Sequence, residues 1–168
     1  MLHALLLMAW PHQGRILTSF RWATDYFMPE PYTGNATLTQ ISSQINATNY
    51  ELIFRCRGCL SWVQLGFSGN ISSRSGLLGL GRAQATDGPQ EPDAGCPDRA
   101  IFGFHDNGYG QLGAHIGGVP NRSYSQWASL ATTSVADSCN AVGPHMSGPL
   151  ATSISSSTGS TTKISSAA

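Results

Sequence analysis

The chain is 168 residues long, enough for one domain and a tail, and only 11% of its residues are charged, with a formal net charge of zero. That leaves no basic stripe to neutralise phosphates and argues against a nucleic-acid partner. The 19 glycines, the abundant Ser and Thr and a single lysine (Lys163) favour turns and short strands over a helical bundle.

The opening stretch from Met1 to Trp10 has the look of a signal peptide, but it lacks a basic n-region and an A-x-A-like cleavage site. Its apolar run Ala4–Trp10 is too short to span a bilayer and suits a buried strand, closed by Pro11 and Gly14. Arg15–Trp22 is predicted as the next strand, forming a hairpin with the first. The chain is therefore expected to begin inside a domain, with its first strands and signal peptide missing from this sequence. Two prolines and a glycine mark Met28–Gly34 as a loop, and Ala36–Ser42 reads as a strand. Asn49–Cys56 gives the clearest strand: Tyr50, Leu52, Phe54 and Cys56 fall on one face, and Glu51, Ile53 and Arg55 on the other. Gly76–Ala83 reads as a glycine-broken strand with a bend or a close backbone approach. Thr86–Pro97 is a loop, and Ala100–His105 a short strand that delivers His105 to a turn at Asp106-Asn107-Gly108.

Asn121–Ala131 is predicted as a helix, because Tyr124, Trp127, Ala128 and Ala131 keep the spacing of one buried stripe, with Asn121 or Ser123 as its cap. Residues 151–168 hold eleven Ser/Thr, too few apolar groups to offset the entropy of ordering them. The expected organisation is thus a domain over 1–143 and a Ser/Thr-rich linker or tail over 144–168. The expected fold class is all-β: an antiparallel β-sandwich, incomplete at the N-terminus, with one short C-terminal helix and a disordered tail.

Four cysteines (Cys56, Cys59, Cys96 and Cys139) and four N-x-S/T sequons, starting at Asn35, Asn46, Asn70 and Asn121, point together to the secretory pathway and to N-glycosylation. The cysteines allow three pairings. We favour Cys56–Cys59 with Cys96–Cys139, the C-R-G-C loop closing through Gly58, although the residues alone leave the choice open. A zinc site needs four ligands, and a lone C-x-x-C matches it poorly.

Hydrolytic motifs do not occur: there is no G-x-S-x-G, H-E-x-x-H or P-loop, and no pair of carboxylates stands out as an acid/base couple, so no catalytic residue is assigned. One segment differs from the rest, Ile101-Phe-Gly-Phe-His-Asp-Asn-Gly-Tyr-Gly-Gln-Leu-Gly-Ala114. A histidine at a strand end, followed by small residues and flanked by aromatics, suits a flat apolar cofactor. A tight turn with a histidine on the sheet accounts for the same pattern.

Three blocks resemble the cytochrome domain of fungal cellobiose dehydrogenases. They are Ala4-Leu-Leu-Leu-Met-Ala-Trp10 leading to Arg21-Trp-Ala-Thr-Asp-Tyr26; Tyr32-Thr-Gly-Asn-Ala-Thr-Leu-Thr39 followed by Phe54-Arg-Cys-Arg-Gly-Cys-Leu-Ser-Trp62; and His105-Asp-Asn-Gly-Tyr-Gly110. The resemblance implies a haem b held by one Met and one His, with His105 as the axial histidine and Met1 at the position of the axial methionine. Tyr26 resembles the residue that hydrogen-bonds a haem propionate. Covalent attachment requires C-x-x-C-H, and Leu60 stands where that histidine would be, so the haem would be noncovalent. A Met/His pair leaves no open position on the iron and implies a one-electron relay. The chain would then be the electron-transfer part of an oxidoreductase system and not an enzyme alone. The implied partners are a flavin dehydrogenase domain as donor and a copper polysaccharide monooxygenase as acceptor. No membrane span is expected in this chain. Two other readings stand beside this one. One is a carbohydrate-binding β-sandwich module without haem, since one architecture hosts many functions. The other is a truncated fragment without function, since missing strands expose sheet edges.

Overall fold

The computed structural model describes residues 3–72, 76–91, 93–116, 121–135 and 139. Within them the backbone is mostly antiparallel strand, with one short helix. β1 (Ala4–His12) and β2 (Arg15–Ala23) form a hairpin in which Trp10 lies opposite Leu17 and Leu6 opposite Arg21. Its two-residue loop holds Gln13 at φ 49° and Gly14 at φ 74°. Two successive positive φ values make a tight turn whose twist matches that of the strands. Pro11, expected to close β1, instead lies inside it opposite Ile16. It is tolerated there because β1 pairs on one side only among the described residues, and an open edge needs no N–H.

β2 is the middle strand of its sheet, between β1 and β3 (Glu30–Pro31), a two-residue strand inside the stretch expected to be loop. A strand covered on both faces buries residues of both parities, and Ile16, Leu17, Ser19, Arg21, Trp22 and Ala23 are all buried. The core gathers on this sheet: Trp10, Leu17 and Ala100, with Met8, Phe102 and Val135 packed against them. The Trp10 indole N–H donates to the Ala94 carbonyl at 2.8 Å, and its ring meets Phe102 edge-on at 5.0 Å. Burying a side chain of this size contributes on the order of 3 kcal/mol.

β4 (Thr37–Ile45) and β5 (Tyr50–Arg57) form a second hairpin, with a register shift between Gln40 and Ser42. Two hydrogen bonds tie it to the first sheet, from Gln40 Nε2 to the Ile16 carbonyl and from the Tyr50 hydroxyl to the Ala9 carbonyl, both at 2.8 Å. β6 (Ser61–Gln64) and β7 (Phe67–Asn70) make a third hairpin that the sequence did not lead us to expect. β8 (Gly76–Ala83) agrees with expectation, and it pairs along its whole length with β9 (Tyr109–Ile116), which was not anticipated.

Two further expectations need correction. Ala100–His105 is extended but is not a strand. It is held by separate bonds, such as Gln90 N–H to the Ile101 carbonyl at 2.9 Å, and not by a continuous ladder. The helix α1 spans only Tyr124–Leu130, and none of its residues is buried. Tyr124, Trp127 and Ala128 do share a face, which borders an open groove against Ile41, Phe54 and Arg55. The Asn121 side-chain oxygen accepts the Ser123 N–H at 2.9 Å, one turn ahead of the helix, while the Ser123 side chain makes no capping bond. The disulfides join Cys56 to Cys59 and Cys96 to Cys139. The predicted linker at 144–168 lies outside the described residues.

Candidate functional site

The site builds from the β8–β9 ribbon and the turn that enters it. Side chains of paired strands alternate between faces. On one face of this ribbon Leu77 lies opposite His115, Gly79 opposite Gly113, Gly81 opposite Gln111 and Ala83 opposite Tyr109. Three of the four central positions carry no side chain, so that face has a bare backbone floor. An open depression of about 460 Å³ follows it, lined by Leu77, Gly79, Gly81, Gln111 and Gly113 among others. Leu77 leans across Gly113, where an added Cβ would lie 3.0 Å from its Cδ1.

His105 sits at the end of this floor. Its ring is half-buried, stacked on Phe104 at 4.3 Å and edge-on to Tyr109 at 5.7 Å. The Nδ1 atom is buried and has no hydrogen-bond partner among the described residues. Buried ring nitrogens are normally paired, because leaving one unpaired costs about 1–3 kcal/mol. An unpaired imidazole nitrogen, aromatic rings around it and a glycine-rich floor fit a flat aromatic group that takes a nitrogen ligand. Phe104 and Tyr109 are 70% and 77% exposed, so they have apolar surface free to cover such a group.

The turn is clamped from the far side. Gln84 N–H donates to the Gly108 carbonyl at 2.9 Å, Asn107 N–H to the Gln84 carbonyl at 3.0 Å, and Thr86 N–H to Asp106 Oδ1 at 2.7 Å. The Thr86 bond holds the Asp106 carboxyl below its ordinary range. Upstream, Arg21 fixes the segment that leads into the turn. Its guanidinium donates to the carbonyls of Ala100 (3.1 Å), Pro29 (3.2 Å) and Pro97, and to Ser19 Oγ at 2.8 Å. Burial lowers the Arg21 pKa, an effect the nearby Asp98 carboxylate partly offsets.

The residues singled out from sequence are not gathered into one cluster. His105 lies at the floor just described. Tyr26 is 83% exposed on the turn after β2, its backbone N–H bound to Asp25. Met1 lies outside the described residues. The sequence reading missed Arg21, Asp106 and Tyr109 as positioning groups. A charged residue at an inward strand position is the signal that could have found Arg21. Two other buried ring nitrogens also lack partners, Trp22 Nε1 and His3 Nδ1, the latter on a ring stacked against Phe67 at 3.6 Å. No group of three or more His, Cys, Asp or Glu capable of holding a bare metal ion occurs among the described residues. No helix among them is long and apolar enough to cross a membrane.

The family model for the cytochrome domain of cellobiose dehydrogenase matches residues 1–126. The solved cytochrome domain of Myriococcum thermophilum cellobiose dehydrogenase superposes with a TM-score of 0.73 at 44% identity, covering 80% of this chain and 64% of that one. The cytochrome b domain of pyranose dehydrogenase from Coprinopsis cinerea superposes with a TM-score of 0.60 at 28% identity, covering 76% of this chain and 63% of that one. The pyrroloquinoline quinone-dependent pyranose dehydrogenase of Coprinopsis cinerea is 30% identical over 104 residues, 59% of this chain. The chain spans only 14% of that relative's length and less than two thirds of either solved domain. With three quarters of its length inside the family model and the sheet architecture in agreement, the chain belongs to the family of the cytochrome domain of cellobiose dehydrogenase.

Proposed function

We propose that this chain holds one noncovalent haem b and relays single electrons, with His105 as an axial ligand. The observation that carries the reading is the His105 ring, with its unpaired buried nitrogen, set against Tyr109 at the end of a glycine-rich ribbon face. Haem b, when bound, supplies a one-electron couple whose potential follows from its axial ligands and surroundings. The chain's own residues do the positioning. Phe104 and Tyr109 fix the imidazole plane, Asp106 holds the turn onto Thr86, and Gly79 and Gly113 keep the floor flat. Met1 is proposed as the second ligand, and the Tyr26 hydroxyl as a donor to a propionate.

The proposed donor is a flavin dehydrogenase domain or, following the name of the Coprinopsis relative, one that carries pyrroloquinoline quinone. A copper polysaccharide monooxygenase is the proposed acceptor. Residues 1–143 would form the domain and 144–168 the linker to a partner. Two disulfides and exposed sequon asparagines at Asn35, Asn46, Asn70 and Asn121 support secretion and N-glycosylation.

The test is an absorption spectrum of the secreted chain and of a His105→Ala variant, each checked for folding by circular dichroism. A sharp Soret band with split α and β bands on reduction, lost in the folded variant, is expected. A folded, colourless wild-type chain would refute the reading. A second reading, sugar binding, rests on Tyr124 and Trp127, each about half exposed on one face of α1 beside Arg55. Saccharide retention by a colourless chain would favour it.

A further inference from the structure

We propose that the Cys56–Cys59 disulfide is a thiol-exchange site, opened by small thiols and reclosed by small disulfides while the domain stays folded, whereas Cys96–Cys139 is a structural bridge. Cys56 is placed by its ladder and not by its bridge: it pairs with Leu38, and Arg57 pairs with Thr37. The bridge joins residues only three apart in sequence. A cross-link this short removes little freedom from the unfolded chain, so opening it costs the fold little. Reclosure is prepared by Gly58, at φ 74°, where an added Cβ would lie 2.7 Å from the Asn35 carbonyl oxygen. No other residue fits that turn, and the turn keeps the two sulfurs close.

The bridge is also reachable. Cys56 lines the open groove of about 180 Å³ between β5 and α1, together with Phe54, Arg55, Tyr124 and Trp127. Arg55 is held on the groove wall by Tyr124, with Nε donating to its hydroxyl at 3.2 Å and the guanidinium 5.7 Å from the ring centroid. No carboxylate lines the groove among the described residues. An approaching thiolate therefore meets positive charge at Arg55, with Arg57 exposed one residue beyond Cys56. Neighbouring arginines and C-x-x-C spacing both favour the thiolate form of the released cysteine. Cys139 is exposed, but its partner Cys96 is buried, and their bridge spans 43 positions and anchors the loop whose Ala94 carbonyl accepts from Trp10.

The exchange balances with two equivalents of thiol. A thiolate attacks Cys56 Sγ, the Cys56–Cys59 bond breaks, a mixed disulfide forms on Cys56, and Cys59 leaves as a thiolate that takes a proton. A second thiolate then attacks the small-molecule sulfur of the mixed disulfide, releasing its disulfide and freeing the Cys56 thiol. The bridge gains two electrons and two protons, and the two thiols are oxidised to one disulfide.

Reduced glutathione added to the native full chain, quenched with N-ethylmaleimide at timed intervals and mapped by peptide mass spectrometry, tests this directly. Cys56 and Cys59 are expected to label at least about tenfold faster than Cys96 and Cys139, with far-ultraviolet circular dichroism unchanged and the bridge restored by oxidised glutathione. Arg55→Gln should slow the labelling several-fold without changing its order. Labelling of Cys96 and Cys139 as fast as the other pair would overturn the proposal. So would labelling of Cys56 only after denaturant has unfolded the chain.

Discussion

Replacing Arg21 tests how the histidine turn is held. The side chain is 3% exposed in the middle strand of the core sheet, yet it stays charged, since a guanidinium keeps its proton in proteins. Its fork reaches the carbonyls of Pro29, Pro97 and Ala100 from one position. Arg21→Met keeps the length and apolar stem and removes every donor. Each buried carbonyl left without a donor costs about 1–3 kcal/mol. Relief from burying a charge offsets part of this, leaving a net loss of about 3–5 kcal/mol, as for other broken buried ionic networks. Arg21→Lys retains the charge but not the planar fork, so a loss of about 2 kcal/mol is expected. Urea unfolding followed by tryptophan fluorescence reads both, and an unchanged m-value would show that the midpoint shift is a stability change. An Arg21→Met protein within about 1 kcal/mol of wild type would refute the view that this guanidinium ties β2 to the segment leading to His105.

Three further outcomes are expected. Gly14→Ala places a Cβ at φ 74° and should cost about 1–2 kcal/mol, read as a lowered Tm; an unchanged Tm would mean that the hairpin turn relaxes freely. Asp106→Ala removes the acceptor of Thr86 N–H and should weaken haem retention about fivefold in a transfer assay to an apo-globin, with Asp106→Asn milder because an amide oxygen still accepts. Tyr50 donates to the Ala9 carbonyl, and burial raises its pKa above the ordinary 10.0. The folded state thus favours the neutral phenol. The advantage of wild type over Tyr50→Phe should be full below about pH 10 and shrink as pH rises through the raised value; an advantage growing in alkali would contradict the assignment.

The parts of the fold legible in sequence were those with strong local signals. Alternation marked β5, and an apolar run before Gly14 marked the first hairpin. The β6–β7 hairpin escaped because its loop is Leu65-Gly66, with Leu65 at φ 51°, a conformation usually announced by Asn or Asp. β9 escaped because glycines at Gly110 and Gly113 erase its alternation, although its partner β8 was visible. The helix was overread: the stripe Tyr124, Trp127, Ala128 is real, but one short helix against a single hairpin cannot bury it. His105 stood out from the aromatics and glycines around it. What surrounds it could not be read from local spacing, because Thr86 reaches the turn, and Arg21 the segment before it, only through tertiary contacts.

The topology also bears on the order in which the chain folds. Among the described residues, three of the four paired units are built on hairpins closed by short connections, which assemble on the microsecond scale. The β8–β9 ribbon instead closes across the whole stretch from Gln84 to Gly108, and Cys96 must still find Cys139. Contacts between residues distant in the chain form late, because loop-closure entropy comes before their reward. The imidazole at position 105 is then among the last groups to reach its place, after the sheet that supports it. Pulse-labelled hydrogen exchange should show amides of β1 and β2 protected before those of Gln84 and Thr86. On the proposed haem reading, a chain starved of haem would stall at that final stage, with its hairpins formed and its ribbon open.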